Sequence, residues 1–591
     1  MAVLLKPDVP NWRARPVFAH GRLRLDETLA AIAERRSDNI SGALHLQGDR
    51  RALAAPSRKG LPEELLARFS ARSCLTLGYM PWARIGKTII IALARPGDIG
   101  AIRRELPDWD GKYAFATAPP DEIRTAVAQA FSDRLAQAAE TRCPAFLSCR
   151  NWRVSRRSVL ALALVLISTL ALAPFALLAA LLVWITAMNF LTMALRAVGL
   201  RESFRRIPEE VSPGANVTTL FQHRTLPRVS LLVPLLGEDV VLRNLVSALE
   251  KTSYPHERLD VKLVIEADDR ATILALAQID LPDWMTVLPV PPSALRTKPR
   301  AMNYALDFCD GEIVGVYDAE DRPEPDQLLK VVEALHSGPP DLACVQGYLD
   351  FYNTHTNWLS RCFAIEYAVW FRVLLGGVQR LGLPIPLGGT TVFFRRALLQ
   401  EVGGWDAHNV TEDADLGMRL ARFGYRTEMV PTVTMEEANC HPMAWIRQRS
   451  RWLKGYAITW ATHMREPGVL LRDLGVSGFL GLQVLFLGGL TSYLATPLFW
   501  LLWTATFGLD LALWQALPAP LWIAFFSSMI IGQMLMLAVA FRATSAPERR
   551  HLWPVVLTLT LYWPLGAVAA YRAVLELFTR PFYWAKTRHG L

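Results

Sequence analysis

Ile313-Val314-Gly315-Val316-Tyr317-Asp318-Ala319-Glu320-Asp321 is a short apolar run that ends abruptly in carboxylates. The run has the composition of a buried strand. Carboxylates grouped at a strand end suit a hard divalent cation, which takes oxygen ligands. Working outward, strand-like runs recur at Val229–Val233, Val261–Ile265 and Thr391–Phe394, with helical stretches such as Val240–Leu249 and Arg300–Phe308 between them. This alternation predicts an α/β domain with a mostly parallel sheet over residues 207–441. Ligands of such sheets bind at the carboxyl ends of strands, where the chemistry-bearing residues of this region fall.

Beyond that domain the chain becomes too apolar for a wholly soluble protein: 52% of residues are hydrophobic and 20% charged. Val159–Leu195 carries no charge over roughly 37 residues, enough for two spans of about 18. Leu474–Leu509 is also charge-free, with Pro497 dividing it into two short spans, as is Leu511–Phe541. Leu552–Tyr571 is one more span of roughly 20. Arg150, Arg153, Arg156 and Arg157 precede the first run, and Arg196, Arg201, Arg205 and Arg206 follow it. Basic residues on both flanks predict a hairpin in 151–206, turning near Pro174 with both ends cytosolic. With about four helices in 471–591, the expectation is six spans in a bacterial inner membrane. Arg580, Lys586 and Arg588 favour a cytosolic tail, although Arg542, Arg549 and Arg550 compete for the same side. Much of the net charge of +9 is then topological, and no nucleic-acid partner is expected.

The segment before the first span begins without the apolar core of a signal peptide, so residues 1–150 read as a small α+β cytosolic domain. Thr88–Ala94 reads as a buried strand and Arg95-Pro96-Gly97-Asp98 as a turn. A helix follows from Pro120, with Ile123, Ala126, Val127 and Ala130 on one face. Seven scattered cysteines read as reduced thiols. Cys440-His441 has no second pair to complete a metal site. Pro442–Trp460 mixes basic residues with tryptophan and tyrosine, so 442–470 reads as an interfacial helix.

Six motifs within 228–460 follow one another in order. They are Val233-Pro234-Leu235-Leu236-Gly237-Glu238, Asp268-Asp269-Arg270-Ala271-Thr272, the Lys298–Leu306 stretch with its Asn303-Tyr304-Ala305-Leu306, Asp318–Asp321, Thr411-Glu412-Asp413 and Gln448-Arg449-Ser450-Arg451-Trp452. In this order, bracketed by apolar runs, they resemble cellulose synthase and its relatives among the processive, inverting family-2 glycosyltransferases. The resemblance implies a GT-A-type α/β domain embedded between transmembrane helices. It also implies a UDP-sugar donor, a growing polysaccharide acceptor, and Mg²⁺ or Mn²⁺ as cofactor. Glu238, Asp268, Asp269, Lys298 and Asp318 would bind the nucleotide sugar. Asp318 and Glu320, or alternatively Asp321, would hold the metal. Asp413 would be the general base, taking the proton of the acceptor hydroxyl. Glu412, Gln448, Arg449, Arg451 and Trp452 would lie on the acceptor side, where Trp452 offers a flat face to a sugar ring. Gly388-Gly389-Thr390 falls where the family carries an acceptor loop ending in Cys-Gly-Ser, and here the Cys is missing.

Residues 75–135 also resemble the N-terminal domain of type II secretion ATPases, some of which bind cyclic-di-GMP. The nucleotide-binding Leu-Gly repeat is degenerate here, as in Arg22–Gln47, so a docking or structural role competes with a regulatory ligand. For the catalytic part, the nearest rival is a non-processive transferase that moves one sugar to a polyprenyl phosphate or lipid.

Overall fold

The computed structural model describes residues 23–25, 51–53, 61–152, 156–205, 226–238, 241–507 and 517–583. Most of the repeat Arg22–Gln47, together with Arg153, Arg206, Val240, Lys586 and Arg588, therefore lies outside the described residues. The chain divides into two compact units. One holds Met1–Ala139 with two short pieces, 289–293 and 304–308, and the other holds the rest.

In the first unit, Tyr79–Ile85 pairs antiparallel with Thr88–Leu93, which pairs parallel with Lys112–Thr117. Ile89, Ile91, Ala92 and Leu93 are fully buried, as an unbroken apolar run requires. The helix Pro120–Ala130 carries Asp121 and Glu122 in its first turn and buries Ile123, Ala126 and Val127. Ala130, expected on the same face, is exposed. The unit ends at Ala139, earlier than the expected boundary at 150. Residues 140–151 pack in the second unit, where Ser148 Oγ and the Cys149 N–H donate to the buried Asp406 carboxylate at 2.9 and 2.7 Å.

The second unit is built on an eight-stranded sheet. Its strands are β1 (Val229–Leu235), β2 (Leu259–Glu266), β3 (Met285–Val290), β4 (Ile313–Val316), β5 (Arg322–Pro323), β6 (Leu342–Phe351), β7 (Val392–Arg395) and β8 (Arg426–Glu436). The order across the sheet is β5-β8-β6-β7-β4-β1-β2-β3. β4, β1 and β2 run parallel, as do β6 and β8. β7 is antiparallel to both its neighbours, and β5 to β8. Because β7 opposes both β4 and β6, the strands β1, β2, β4, β6 and β8 all run the same way, as expected of a mostly parallel sheet, with β5 and β7 opposed to them. Inserting β7 between β6 and β4 reverses the direction locally, which the period of the apolar runs could not reveal. Every residue of β2 is buried, as befits a strand covered on both faces.

Among the described residues, four helices are long and apolar enough to cross a membrane, or five if one bent pair counts as a span. They are α1 (Pro174–Arg205), Trp358–Arg380, Pro467–Trp500 and Ala519–Ala543, with Pro547–Val556 and Leu559–Thr579 as the bent pair. The expected six spans are therefore not all found among the described residues. Arg156–Leu172 ends after only 17 residues, and Pro497 sits inside a continuing helix instead of dividing it. A proline in an apolar segment need not end a helix, because neighbouring groups re-satisfy the freed carbonyl. Trp358–Arg380 was not legible as an apolar helix, because Arg361, Glu366 and Arg372 interrupt its sequence. Its Trp370–Leu374 stretch is a π-turn. Gly199 of α1 lets that turn approach closely: a Cβ there would lie 2.7 Å from the Val373 carbonyl oxygen.

Candidate active site

The parallel strands β1, β2 and β4 deliver their carboxyl ends side by side, and a cavity of about 210 Å³ opens there. Asp318, just past β4, is half-buried on its wall beside Glu320. Asp321 is 1% exposed and does not reach the cavity. Its Oδ2 accepts from the Asp318 N–H at 2.8 Å and from the Thr390 hydroxyl, while its Oδ1 is buried without a hydrogen-bond donor. Asp321 therefore fixes the backbone of Asp318, while Glu320 faces the open space.

Lys298 begins α3 (Lys298–Leu306) and donates to Asp318, and also to the Gly389 carbonyl at 3.0 Å. Asn303 of the same helix clamps the backbone of Trp405 in both directions, donating to its carbonyl at 2.7 Å and accepting its N–H at 2.9 Å. The Thr297 hydroxyl donates to the Ala407 carbonyl at 2.8 Å. The Lys-x-x-x-x-Asn spacing thereby does two jobs. It sets an ammonium group in the cavity and ties α3 to the loop leading into α5 (Glu412–Arg422).

Glu412 and Asp413 occupy the first turn of α5, where the helix dipole favours negative charge. Asp415, two residues on, is buried with Arg419 at 2.8 Å and His463 at 3.1 Å. Asp413 Oδ1 accepts the Ala414 N–H at 2.8 Å. Gly389 has φ +83°, and a Cβ on it would sit 2.7 Å from Asp413 Oδ2, so both backbone and space demand glycine. Its neighbour Thr391 holds φ 54°, rare for a β-branched residue and a mark of local strain beside the site.

The QxxRW sequence lies on α6 (Pro442–His463), which crosses Thr411 at Gly455. A Cβ there would lie 2.3 Å from the threonine hydroxyl. Gln448 and Arg451 line the cavity, with Gln448 accepting from Asn439 at 2.8 Å. Arg449 points elsewhere. It pairs with Glu366, and its guanidinium lies 4.7 Å from the Trp452 ring centre. It lines a second cavity of about 940 Å³ among the apolar helices. The two cavities share Tyr367, Gly388, Thr411, Asp413 and Trp452 on their walls.

Two expected residues are not brought to the cavity. Asp269 caps the helix Arg270–Leu276 through the Thr272 N–H at 3.2 Å and binds the Gly237 N–H at 2.6 Å. Asp268 pairs with Arg296 on the surface. Glu238 does line the cavity, and Glu266 and Arg296 join it there. Glu436, at the end of β8, completes the acidic wall. Neither Glu266 nor Glu436 was read from the sequence. Both are the last residue of a strand, so the criterion that picked out Asp318 would have found them.

Burial raises the pKa of Glu320 and of Glu436 well above the ordinary range, and the surrounding carboxylates raise both further. Burial and Asp318 push Asp321 up to about 8. Glu412 is likewise pushed up to about 8 by burial and Asp413, and burial raises Asp413 itself. Burial works against the charge on Lys298, but Asp318, Glu412 and Asp413 outweigh it and raise its pKa. The wall thus crowds carboxyls whose ionised forms are disfavoured by burial and by one another, a strain that a bound cation would relieve. Among the described residues, no group of three or more His, Cys, Asp or Glu is arranged to hold a metal ion alone. Two open carboxylates, Asp318 and Glu320, fit the Mg²⁺ pattern in which substrate phosphates supply further ligands.

Residues 313–564 match the model of the family described as Glycosyl transferase family group 2, and residues 52–137 match the MshEN domain. The probable glycosyltransferase YdaM of Bacillus subtilis is 29% identical over 235 residues, covering 39% of this chain and 56% of that protein. The β-monoglucosyldiacylglycerol synthase of Synechocystis sp. is 29% identical over 312 residues, 50% of this chain and 62% of that one. Probable glucomannan 4-β-mannosyltransferase 3 of Oryza sativa subsp. japonica is 26% identical over 246 residues, 39% of this chain and 43% of that one. The chain spans about half the length of the curated relatives it matches. These matches support a family-2 glycosyltransferase.

Proposed function

We propose that this chain is an inverting, divalent-metal-dependent glycosyltransferase that extends a β-linked polysaccharide from a UDP-sugar and passes it through its own membrane helices. The observation that carries this reading is the meeting of the two cavities at Asp413 and Trp452. A sugar joined at the strand ends would pass toward the cavity among the apolar helices by way of the residues that line both. Donor and metal belong on the strand-end side. There Asp318 and Glu320 would hold Mg²⁺ or Mn²⁺, which when bound neutralises charge on the leaving diphosphate. Lys298 and Arg451 add fixed positive charge at the same wall.

Asp413 takes the proton of the acceptor hydroxyl. The hydroxyl oxygen bonds to the anomeric carbon as the bond from that carbon to UDP breaks on the opposite face, which inverts the configuration. Its raised pKa favours proton uptake, while the positive charges of Lys298 and Arg451 favour its ionised form. Trp452 stacks against the acceptor ring between the two cavities. The first unit, matching the MshEN domain, is a regulatory module for which cyclic-di-GMP is the ligand to test.

The second reading, single transfer to a lipid, is favoured by the relatives named as β-monoglucosyldiacylglycerol synthases. Membranes incubated with labelled UDP-sugars and Mg²⁺ or Mn²⁺ separate the two. High-molecular-weight product, abolished by EDTA and by Asp413→Asn, is the expected result. Label found only in chloroform-soluble material would establish the lipid reading instead.

A further inference from the structure

The larger cavity is mostly apolar, with one row of polar groups on its wall. Asn189, Thr192 and Arg196 follow one another at helical spacing on the cavity side of α1, facing Ser492 and Tyr493 across the space. Hydroxyls and amides suit the hydroxyls of a sugar. A guanidinium is a different matter, because a cation set among apolar helices is costly and marks either a partner or a charged passenger.

The charged groups on this wall are Arg196, Glu366, Asp413 and Arg449. Arg449 is paired with Glu366, which also accepts the Tyr562 hydroxyl at 2.7 Å. Asp413 is at the junction with the strand-end cavity, opposite Lys298 and Arg451. Arg196 faces Tyr493 as its titratable neighbour. Among the described residues it has no carboxylate, and its Nε is buried without a hydrogen-bond acceptor. A neutral glycan could offer it hydroxyl oxygens but could not balance its charge. A carboxylate or a phosphate does both, and accepts two parallel hydrogen bonds from the guanidinium fork.

We infer that Arg196 is a specificity site for an oxyanion carried on the acceptor side of the reaction. The source is either the carboxylate of an acidic sugar in the growing chain or the phosphate of a lipid-linked acceptor. This deepens the proposed function and rests on its assignment of the large cavity to the acceptor.

The test uses the full chain in membranes, given labelled UDP-glucose, UDP-N-acetylglucosamine and UDP-glucuronate singly and in pairs. The products are analysed for size, uronate and phosphate. Arg196→Gln and Arg196→Lys are compared, and binding of a glucuronate-containing oligosaccharide and of a neutral one is followed by tryptophan fluorescence in the purified proteins. The expected result is an acidic polymer, and an affinity for the acidic oligosaccharide that falls at least about tenfold in Arg196→Gln and partly recovers in Arg196→Lys. The neutral oligosaccharide should not discriminate the variants. A neutral polymer made equally by wild type and Arg196→Gln would overturn the inference and leave the polymerase reading intact. A glycosylated lipid phosphate with no polymer would overturn the polymerase reading and support the oxyanion, naming phosphate as its source. A neutral glycolipid would overturn both.

Discussion

At the scale of single residues, Asp413 and Gly389 make the sharpest claims. Replacing the base in Asp413→Asn should lower kcat by about 10²–10⁴-fold, the range of general-base catalysis, while donor binding persists. The pH profile carries a sign. Burial raises the pKa of Asp413, so it holds its proton to higher pH than an ordinary aspartate of about 3.9. Only the ionised form accepts a proton. Activity should therefore fall on acidification with a midpoint above 3.9, as measured by kcat/KM against pH; a rate flat down to that value would remove Asp413 as base. Gly389→Ala should leave the protein folded yet cost about 100-fold in rate, because its Cβ displaces the Asp413 carboxylate. Asp318, Lys298 and Asp413 were legible in the sequence because each sits at the end of an element, Asp318 just past a strand and the other two in the first turn of a helix. At Asp269 the Asp-x-x-Thr spacing also makes a helix cap, which the sequence alone does not separate from a ligand contact. The sequence left Asp321 and Glu320 undivided, since only the fold reveals which of the two lines the cavity.

At the scale of elements, the site depends on how α3 is pinned to the loop before α5. Asn303→Ala orphans the buried N–H and C=O of Trp405, at about 1–3 kcal/mol for each group left unsatisfied. The expected outcome is a lower thermal midpoint together with a raised KM for donor, because Lys298 rides on the same helix; an unchanged KM would mean that α3 is positioned independently. The parallel strands β1, β2 and β4 could be read from the chain, whereas the antiparallel β7 could not, since strand direction leaves no trace in an apolar run. The helix Trp358–Arg380 escaped notice for a related reason. Its Glu366 is paired with Arg449 on α6, a contact remote in sequence that makes an otherwise costly charge acceptable.

At the scale of the whole molecule, the strand-end cavity shares part of its wall with the cavity among the apolar helices. The segment 140–151 extends this unit beyond the sequence-derived boundary, holding Asp406 through Ser148 and Cys149. A chain shortened to begin at residue 152 should lose stability relative to one beginning at 140, because the Asp406 carboxylate stays buried without those donors. Thermal unfolding in detergent would decide it, with equal midpoints counting against the assignment. The central claim is that synthesis and passage share one route. Sealed inverted membrane vesicles, supplied from outside with labelled UDP-sugar and a divalent metal, test it by the location of the product. Labelled polymer resistant to added glycan hydrolase until detergent opens the vesicles is the predicted result. Polymer digested at once, in vesicles shown to be sealed, would contradict it.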